Sequence, residues 1–265
     1  MRLGWLTDIH LNFLSPDRRS VFYANTQREN VDAVLIGGDI GEADSVTAIL
    51  SELASAIQIP IHFVLGNHDF YGGSIADVRR RVITQCASHP WLRWLPATGV
   101  VCLTDQTALI GHDTWADGRL GDYARSEVLL NDYFLIEELR DLSKVDRLSK
   151  LNALGDEGAD FLEHQAREAL AQRREVLVLT HVPPFRGACW HEGKISGDDY
   201  LPHFACQAVG ERLAALMRDH PRNKMTVLCG HTHSSGVVQI LENVSVRTGA
   251  AEYGEPKLQD VLDVR

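Results

Sequence analysis

The sequence predicts an α/β fold in which helices cover a largely parallel sheet. Two observations indicate this class. Several short aliphatic runs carry no alternating polar positions, which is typical of strands buried on both faces. Stretches whose apolar residues recur at helical spacing lie between these runs.

No apolar run reaches the roughly eighteen residues that a membrane span needs, so we predict no membrane-spanning segment.

The N-terminal part of the chain alternates strands with helices. Residues 3–7, 33–36 and 61–65 are predicted strands, because each is a continuous apolar run bounded by Gly or Asp. Residues 45–57 form a predicted helix whose apolar residues are three or four apart, and Pro60 ends it. This alternating order indicates a parallel sheet with helices packed on it.

The pattern changes in the middle of the chain, where short apolar runs follow one another closely. Residues 91–95, 100–104 and 108–110 are separated by turns at Gly99 and Asp105. Such spacing predicts antiparallel hairpins.

The second half returns to long helical stretches and buried strands. Residues 126–174 are predicted to be helical, and 175–180 to be a further buried strand. A loop rich in Pro, Gly and aromatic residues then covers 183–202, followed by a predicted helix at 206–218. Three closing strands are predicted at 225–229, 237–241 and 244–247. No repeat, linker or low-complexity segment interrupts this order, so we predict a single domain over residues 1–265.

Charge and cysteine content argue against several classes of protein. The chain has 26 Lys and Arg against 36 Asp and Glu, for a formal net charge of -10, which argues against a dedicated nucleic-acid binder. The basic run Arg79-Arg80-Arg81 is predicted to line the exposed side of a helix. The 5 cysteines form no C-x-x-C pair, which argues against a disulfide framework or a zinc ribbon. The N-terminus enters a strand at once and leaves no room for a signal peptide, so we expect a cytoplasmic protein.

Polar clusters follow the predicted buried strands, at positions where a core strand has no structural need for them. In open α/β sheets, ligands bind beyond the carboxyl ends of the strands, so these clusters are predicted to meet at one site. In chain order the clusters are Asp8-Ile9-His10, Gly37-Gly38-Asp39, Gly66-Asn67-His68-Asp69, His181 and Gly230-His231-Thr232-His233.

The residue types in these clusters are those that bind transition metals. Residues two apart in an extended segment point to the same side, so the D-x-H and H-x-H pairs can each serve one centre or two neighbouring ones. Carboxylate, imidazole and amide donors without a thiolate suit Mn, Fe or Zn rather than calcium. The set is too large for one tetrahedral ion and fits two ions that share a bridging carboxylate. The candidate ligands are Asp8, His10, Asp39, Asn67, His181, His231 and His233.

The order D-x-H, G-D, G-N-H-D, H and G-H-x-H resembles the calcineurin-like metallophosphoesterase family. These blocks extend from Asp8 to His233, and no ligand position is missing. The resemblance implies a four-layer α/β/β/α sandwich of two mixed β-sheets flanked by helices. It also implies two divalent or trivalent metal ions. One would be held by Asp8, His10 and His233, the other by Asn67, His181 and His231, and Asp39 would bridge them.

The same resemblance implies a hydrolase of phosphate esters, either a phosphomonoesterase or a phosphodiesterase. A hydroxide bridging the metals would attack phosphorus, since metal coordination lowers the pKa of water from 15.7 to about 7. His68 would be the catalytic histidine, which protonates the leaving alkoxide or stabilises its charge. Asp69 is predicted either to orient His68 through its second ring nitrogen or to cap a helix.

Other polar and aromatic residues leave two readings open. Arg119, in the segment that follows residues 111–115, either grips a phosphate oxygen or belongs to a loop in which Trp115 is simply buried. Trp190, His191 and Lys194, in the loop after His181, are candidates for substrate contact.

Two alternative functions stay open at this point. One is a non-catalytic metal-binding scaffold on the same fold, which the intact ligand set argues against. The other is a nuclease or a lipid-precursor pyrophosphatase, which the acidic charge and the lack of a terminal amphipathic helix argue against. The expected partner is a small or medium phosphate ester, without nucleic acid or membrane. The native metal, the choice of monoester or diester and the oligomeric state are left open by residue types alone.

Overall fold

Two large β-sheets organise the chain in the computed structural model, which describes residues 1–265. The first sheet consists of β1 (Arg2–Leu6), β2 (Ala33–Gly37), β3 (Ile61–Val64), β4 (Leu92–Trp94) and β13 (Asp260–Asp263). The second consists of β5 (Val101–Cys102), β6 (Thr107–His112), β7 (Glu175–Thr180), β10 (Lys224–Cys229), β11 (Gly236–Leu241) and β12 (Val244–Thr248). The strand order is β13-β1-β2-β3-β4 in the five-stranded first sheet and β11-β12-β10-β7-β6-β5 in the six-stranded second sheet.

Both sheets are mixed. In the first, β1 to β4 run parallel and β13 pairs antiparallel with β1. In the second, β6, β7, β10 and β12 run parallel, and the edge strands β5 and β11 are antiparallel to their neighbours. A separate hairpin pairs β8 (Trp190–His191) with β9 (Lys194–Ile195).

Helices cover the outer face of each sheet. The helices are α1 (Pro16–Arg28), α2 (Val46–Ile57), α3 (Ile75–Ser88), α4 (Leu95–Thr98), α5 (Asp132–Leu135), α6 (Lys144–Gln172), α7 (Leu201–Phe204) and α8 (Gln207–Arg218). Residues of α1, α2 and α3 share one core cluster with the first sheet, and residues of α6 and α8 share another with the second sheet.

The strands alternate their side chains between two cores, which sets the layer order. Val34 and Ile36 of β2 face the helices, whereas Ala33 and Leu35 of the same strand belong to a core shared with the second sheet. The second sheet faces this shared core with residues such as Leu177. The arrangement is the four-layer α/β/β/α sandwich expected from the resemblance, so the predicted fold class is confirmed.

Two predictions about the middle of the chain are wrong. The segment predicted to start a hairpin at 91–95 contains β4, which pairs in parallel with β3 in the first sheet, and only β5 and β6 form an antiparallel pair. The segment 126–174 is not one helical region, because α5 and α6 are separated by residues 136–143, which are not helical. No helix of the structure is long and apolar enough to cross a membrane.

Candidate metal centre

The predicted ligands meet where the carboxyl ends of strands from both sheets face each other. Backbone hydrogen bonds join the loops that follow these strands. The N–H of Asp8 donates to the Gly38 carbonyl at 3.1 Å, and the N–H of His10 donates to the Asp39 carbonyl at 2.8 Å. In the second sheet the N–H of Gly230 donates to the His181 carbonyl at 2.9 Å. The loops are therefore held in fixed positions relative to one another.

Left-handed backbone conformations turn several of the side chains into the site. Such conformations cost roughly 1–3 kcal/mol for non-glycine residues and concentrate at functional sites. The prediction that the D-x-H and H-x-H pairs are extended is wrong, because each of these residues has a positive φ. In these pairs φ is 50° for Asp8, 41° for His10, 69° for His231 and 60° for His233, and Asp39 also has a positive φ, of 52°.

Two glycines allow the strand ends to approach the carboxylates. A Cβ at Gly66 would lie 2.2 Å from Asp39 Oδ1, and a Cβ at Gly230 would lie 1.9 Å from Asp8 Oδ2. Both distances are too short for any side chain. The glycines in the G-N-H-D and G-H-x-H blocks are thus required by the close packing of the site.

The first donor cluster consists of Asp8, His10, Asp39 and His233. Their ligand atoms all lie within 4.8 Å of one another. The Nε2 atoms of His10 and His233 are 3.3 Å apart, and His233 Nε2 is 3.6 Å from Asp8 Oδ1. Four donors that converge on one small space have the composition and spacing of a transition-metal site.

The second donor cluster consists of Asn67, His181 and His231, next to Asp39. Asn67 Oδ1 lies 2.8 Å from His181 Nε2 and 3.0 Å from His231 Nδ1. Asp39 stands between the clusters, with Oδ1 3.5 Å from His181 Nε2 and Oδ2 3.8 Å from His10 Nε2. One carboxylate therefore presents an oxygen to each cluster.

Hydrogen bonds at the opposite ring nitrogen fix two of the imidazoles. His181 Nδ1 lies 2.8 Å from the Gly37 carbonyl, and His231 Nε2 lies 3.0 Å from the His203 carbonyl. A ring nitrogen facing a carbonyl must carry the proton, so the other nitrogen is left as an acceptor toward the cluster. This arrangement is typical of metal-binding histidines.

The charges of the site fit a bound cation. Asp8 and Asp39 are only 2% and 1% exposed, and neither pairs with a Lys or Arg. Burial, reinforced by Asp8 and Asp69, raises the pKa of Asp39 well above its usual range. Burial lowers the pKa of His10 to about 3 and that of His231 to about 4, which leaves neutral rings able to ligate. Buried carboxylates without a fixed counter-ion are costly, and cations held by the two clusters would compensate them.

His68 lies beside the first donor cluster without joining either cluster. Its ring is 4.7 Å from that of His10 and 4.3 Å from that of Tyr71, measured between centroids. Its backbone N–H donates to Asp39 Oδ1 at 2.9 Å, and its Nδ1 has no hydrogen-bond partner. Burial and the neighbouring imidazoles lower its pKa to about 2.

Asp69 neither orients His68 nor caps a helix, so both predicted roles are wrong. Its carboxylate accepts backbone N–H groups from Ile40 at 2.9 Å, Gly41 at 2.8 Å and Gly66 at 2.9 Å. These donors belong to the loops after β2 and β3. Asp69 therefore holds the two loops that carry Asp39 and Asn67 against each other.

A cavity of about 230 Å³ opens onto the donor clusters. Sequence reasoning missed several of its lining residues, among them Tyr71, Asp132, Phe204 and Tyr253. Tyr71 stands two residues after the G-N-H-D block, and this proximity could have indicated that it lies near the site. The others belong to distant segments, and no local pattern marks them.

Only one of the other candidates for substrate contact lines the cavity. His191 lines the cavity, but Trp190 and Lys194 do not. Arg119 forms ion pairs with Asp117 at 3.0 Å and Asp156 at 2.8 Å and lies outside the cavity, so its predicted grip on phosphate is wrong.

The segment that precedes Arg119 belongs to the core. Trp115 is only 3% exposed, in agreement with the simpler reading of a loop that buries it.

The chain thus places a buried donor set at the strand ends of a four-layer sandwich. The family model of the calcineurin-like phosphoesterases matches residues 1–235, and the chain belongs to this family. The predicted resemblance is thereby confirmed.

Solved structures with low sequence identity share the fold. Phosphopantetheinyl hydrolase (PptH) from Mycobacterium tuberculosis is 13% identical with a TM-score of 0.66, and the match covers 95% of this chain and 89% of that one. A dimetal phosphatase from Danio rerio is 15% identical with a TM-score of 0.53, over 94% and 87% of the two chains. TT1561 from Thermus thermophilus is 14% identical with a TM-score of 0.54, over 94% and 88%. A search of curated proteins gave no match.

Proposed function

We propose that this protein is a metal-dependent hydrolase of phosphate esters with a dinuclear metal centre. The observation that carries the proposal is the position of Asp39, whose two carboxylate oxygens face the two donor clusters separately. A carboxylate shared in this way is the arrangement that a pair of metal ions about 3.5–4 Å apart requires.

The spacing of the donors supports the division of ligands that the family resemblance implies. Asp8, His10 and His233 would hold one ion, and Asn67, His181 and His231 the other. Mn, Fe and Zn are the metals that this mixture of oxygen and imidazole donors suits. Asn67 is a suitable ligand because its amide oxygen adds a donor without adding negative charge to a site that already buries two carboxylates.

The side chains of the site would have different roles in the reaction. Bound metal ions would supply a hydroxide nucleophile at neutral pH and offset the negative charge of the phosphoryl group. Backbone hydrogen bonds hold both carboxylates in place: Asp8 accepts the N–H of His231 at 2.9 Å, and Asp39 accepts the N–H of His68 at 2.9 Å. Asp8 and Asp39 would therefore determine where the bound cations lie. His68, which lines the cavity and belongs to neither donor cluster, would donate a hydrogen bond from its neutral ring to the leaving oxygen and so stabilise its charge.

Metal analysis combined with a turnover assay tests the proposal. The purified protein, loaded with Mn²⁺, Fe²⁺ or Zn²⁺, should bind about two ions per chain and hydrolyse aryl phosphate esters. Asp39→Asn should lose both properties, because Asp39 serves both clusters. Asp44→Asn, at an exposed position outside the site, is the matched control.

Each other outcome has a defined meaning. Two bound ions without turnover of any phosphate ester would support the scaffold alternative. One tightly held ion per chain, or fewer, would contradict the dinuclear centre.

The proposed partner is a small or medium phosphate ester. The cytoplasmic location and the single domain over residues 1–265 stay predictions from the sequence.

A further inference from the structure

The cavity above the donor clusters contains no basic side chain other than histidine. No Lys or Arg is among its lining residues. Outside the donor clusters the one carboxylate in the lining is that of Asp132, which is 6% exposed. Its Oδ1 accepts hydrogen bonds from Asn67 Nδ2 at 2.8 Å and from the Tyr71 hydroxyl at 2.6 Å. The chain therefore adds negative rather than positive charge around the place where a phosphoryl group would lie.

This distribution of charge discriminates between classes of phosphate ester. Two dications, the carboxylates of Asp8 and Asp39 and one hydroxide leave about one net positive charge at the centre. A phosphate monoester carries about −1.5 to −2 charges at pH 7, whereas a diester carries about −1. The second charge of a monoester finds no guanidinium or ammonium partner here, and Asp132 repels it.

Each donor cluster also has its own aromatic neighbour. The Tyr253 ring lies 4.6 Å from that of His10 and 5.2 Å from that of His233, both in the first cluster. The Phe204 ring lies 5.5 Å from that of His231, in the second cluster. Leu130 and Tyr71 add further apolar surface to the cavity. Two aromatic surfaces offer contacts for two organic groups on one phosphorus, whereas a monoester has only one such group.

We infer that the preferred substrate class is a small phosphodiester that carries an apolar or aromatic group on at least one of its oxygens. The inference rests on the proposed phosphoesterase function and adds to it the choice of diester over monoester. The cavity of about 230 Å³ sets the size of the groups that the site can enclose.

A paired assay tests the inference. The Mn²⁺-loaded protein is assayed at pH 8 with bis(4-nitrophenyl) phosphate and with 4-nitrophenyl phosphate, which share a leaving group and differ in charge. We expect kcat/KM for the diester to exceed that for the monoester at least tenfold. A higher kcat/KM for the monoester would overturn the inference while the proposed function stood. Turnover of neither ester by protein that holds two ions would overturn both.

A variant that supplies the missing charge makes the test specific. Leu130→Lys places an ammonium group in the cavity wall and should lower the diester-to-monoester ratio at least fivefold. Leu130→Gln, polar but uncharged, is the matched control for the lost apolar surface and should lower the ratio clearly less than Leu130→Lys does. An equal change in the two variants would contradict the role assigned to charge.

Equilibrium binding gives a readout that does not depend on turnover. Phenylphosphonate, largely a dianion at pH 8, and its monomethyl ester, a monoanion, are titrated into the metal-loaded protein by calorimetry. We expect the ester to bind at least as tightly as the dianion, because its second organic group gains contacts and its lower charge avoids Asp132. Tenfold tighter binding of the dianion would overturn the inference.

Discussion

At the scale of single residues, the proposed metal centre would depend on side chains that are not themselves candidate ligands. Asp132 is the main example, since it holds the amide nitrogen of Asn67 and thereby directs the amide oxygen toward His181 and His231. Tyr71 completes this group by donating its hydroxyl hydrogen to the same Asp132 oxygen. Partners of this kind commonly contribute 10–100-fold to metal affinity.

Replacement of Asp132 should therefore weaken one metal site and spare the other. Asp132→Ala removes the shorter of the two hydrogen bonds that Asn67 Nδ2 donates and leaves only the one to the Tyr71 hydroxyl at 3.1 Å. We therefore expect affinity at the second donor cluster to fall about 10–100-fold. Titration of the apoprotein with Mn²⁺, followed by electron paramagnetic resonance, measures both affinities. Tyr71→Phe, which removes the hydrogen bond to Asp132 and the longer one that Asn67 Nδ2 donates to the Tyr71 hydroxyl at 3.1 Å, should have a smaller effect. Unchanged affinities in Asp132→Ala would show that the amide is oriented by other contacts.

His68 gives the complementary prediction, a loss of rate without a loss of metal. His68→Ala should retain the parent metal content, because the ring joins neither donor cluster, and should lower kcat by roughly 10²–10⁴-fold. The measurement is metal content and steady-state kinetics on the same preparation. His164→Ala, an exposed histidine of α6, is the control. Parent-like kcat in His68→Ala would remove His68 from the chemistry.

The sequence predicted the donor set better than its surroundings, for a physical reason. All seven candidate ligands follow strands, and parallel topology alone brings such positions together. Asp132 and Tyr253 reach the cavity from segments without a strand-end pattern, and Tyr253 lies beyond the matched residues 1–235. Their placement depends on how distant loops pack, which residue spacing does not encode.

At the scale of elements, the run Arg79-Arg80-Arg81 illustrates how a helix is anchored. The prediction that this run is exposed is wrong for Arg79, whose side chain is 18% exposed and pairs with Asp113 at 3.2 Å. The Asp113 carboxylate is buried and also accepts the Leu65 N–H at 2.8 Å and the Trp94 indole N–H at 2.9 Å. This one carboxylate thus links α3 to β4 and to the end of β3.

Removal of the Arg79 charge should destabilise the fold. Arg79→Met leaves the Asp113 carboxylate buried without its cation, and we expect a loss of about 3–5 kcal/mol in the free energy of unfolding. Denaturant titration followed by circular dichroism measures the loss. Arg80→Met, next in sequence with a side chain 74% exposed, should change stability by less than about 0.5 kcal/mol.

A double variant separates the charge from the packing in this test. If the uncompensated carboxylate is the cause, Arg79→Met combined with Asp113→Asn should recover part of the stability lost in Arg79→Met alone. No recovery would mean that the stem of Arg79 stabilises α3 by packing.

The errors in element prediction have a common origin. β4 has only three residues, and its apolar pattern fits an antiparallel partner in sequence as well as the parallel partner β3 that it has. The helical stretch predicted over 126–174 ran through the break between α5 and α6, because leucines continue through residues 136–143, which are not helical. Short strands and loops with buried leucines take their structure from distant contacts, whereas the long runs in β2, β7 and β10 specify theirs locally.

At the scale of the whole molecule, one apolar core joins the two sheets. Leu3, Trp5 and Leu35 of the first sheet pack with Leu109 and Leu179 of the second. Each of these side chains is at most 2% exposed. Separation of the sheets would expose this core to water, at roughly 25 cal/mol for every Å² of apolar surface.

The prediction of a single domain over residues 1–265 can therefore be tested by calorimetry. We expect one thermal transition with a van't Hoff enthalpy close to the calorimetric enthalpy, because neither sheet keeps a complete core without the other. Two resolved transitions would instead show that each sheet, with its own helices, unfolds independently.

Metal addition extends the same measurement to the site, which both sheets build. Ions bound between strand ends of the two sheets stabilise only the joined state, by about 2.7 kcal/mol at a free concentration one hundred times the Kd. The whole transition should therefore shift to higher temperature with Mn²⁺ and return after chelation, without splitting. Asp39→Asn, which removes the carboxylate shared by both clusters, should abolish most of the shift. A shift confined to part of the unfolding enthalpy would place the metal within one sheet and contradict a centre formed between the two.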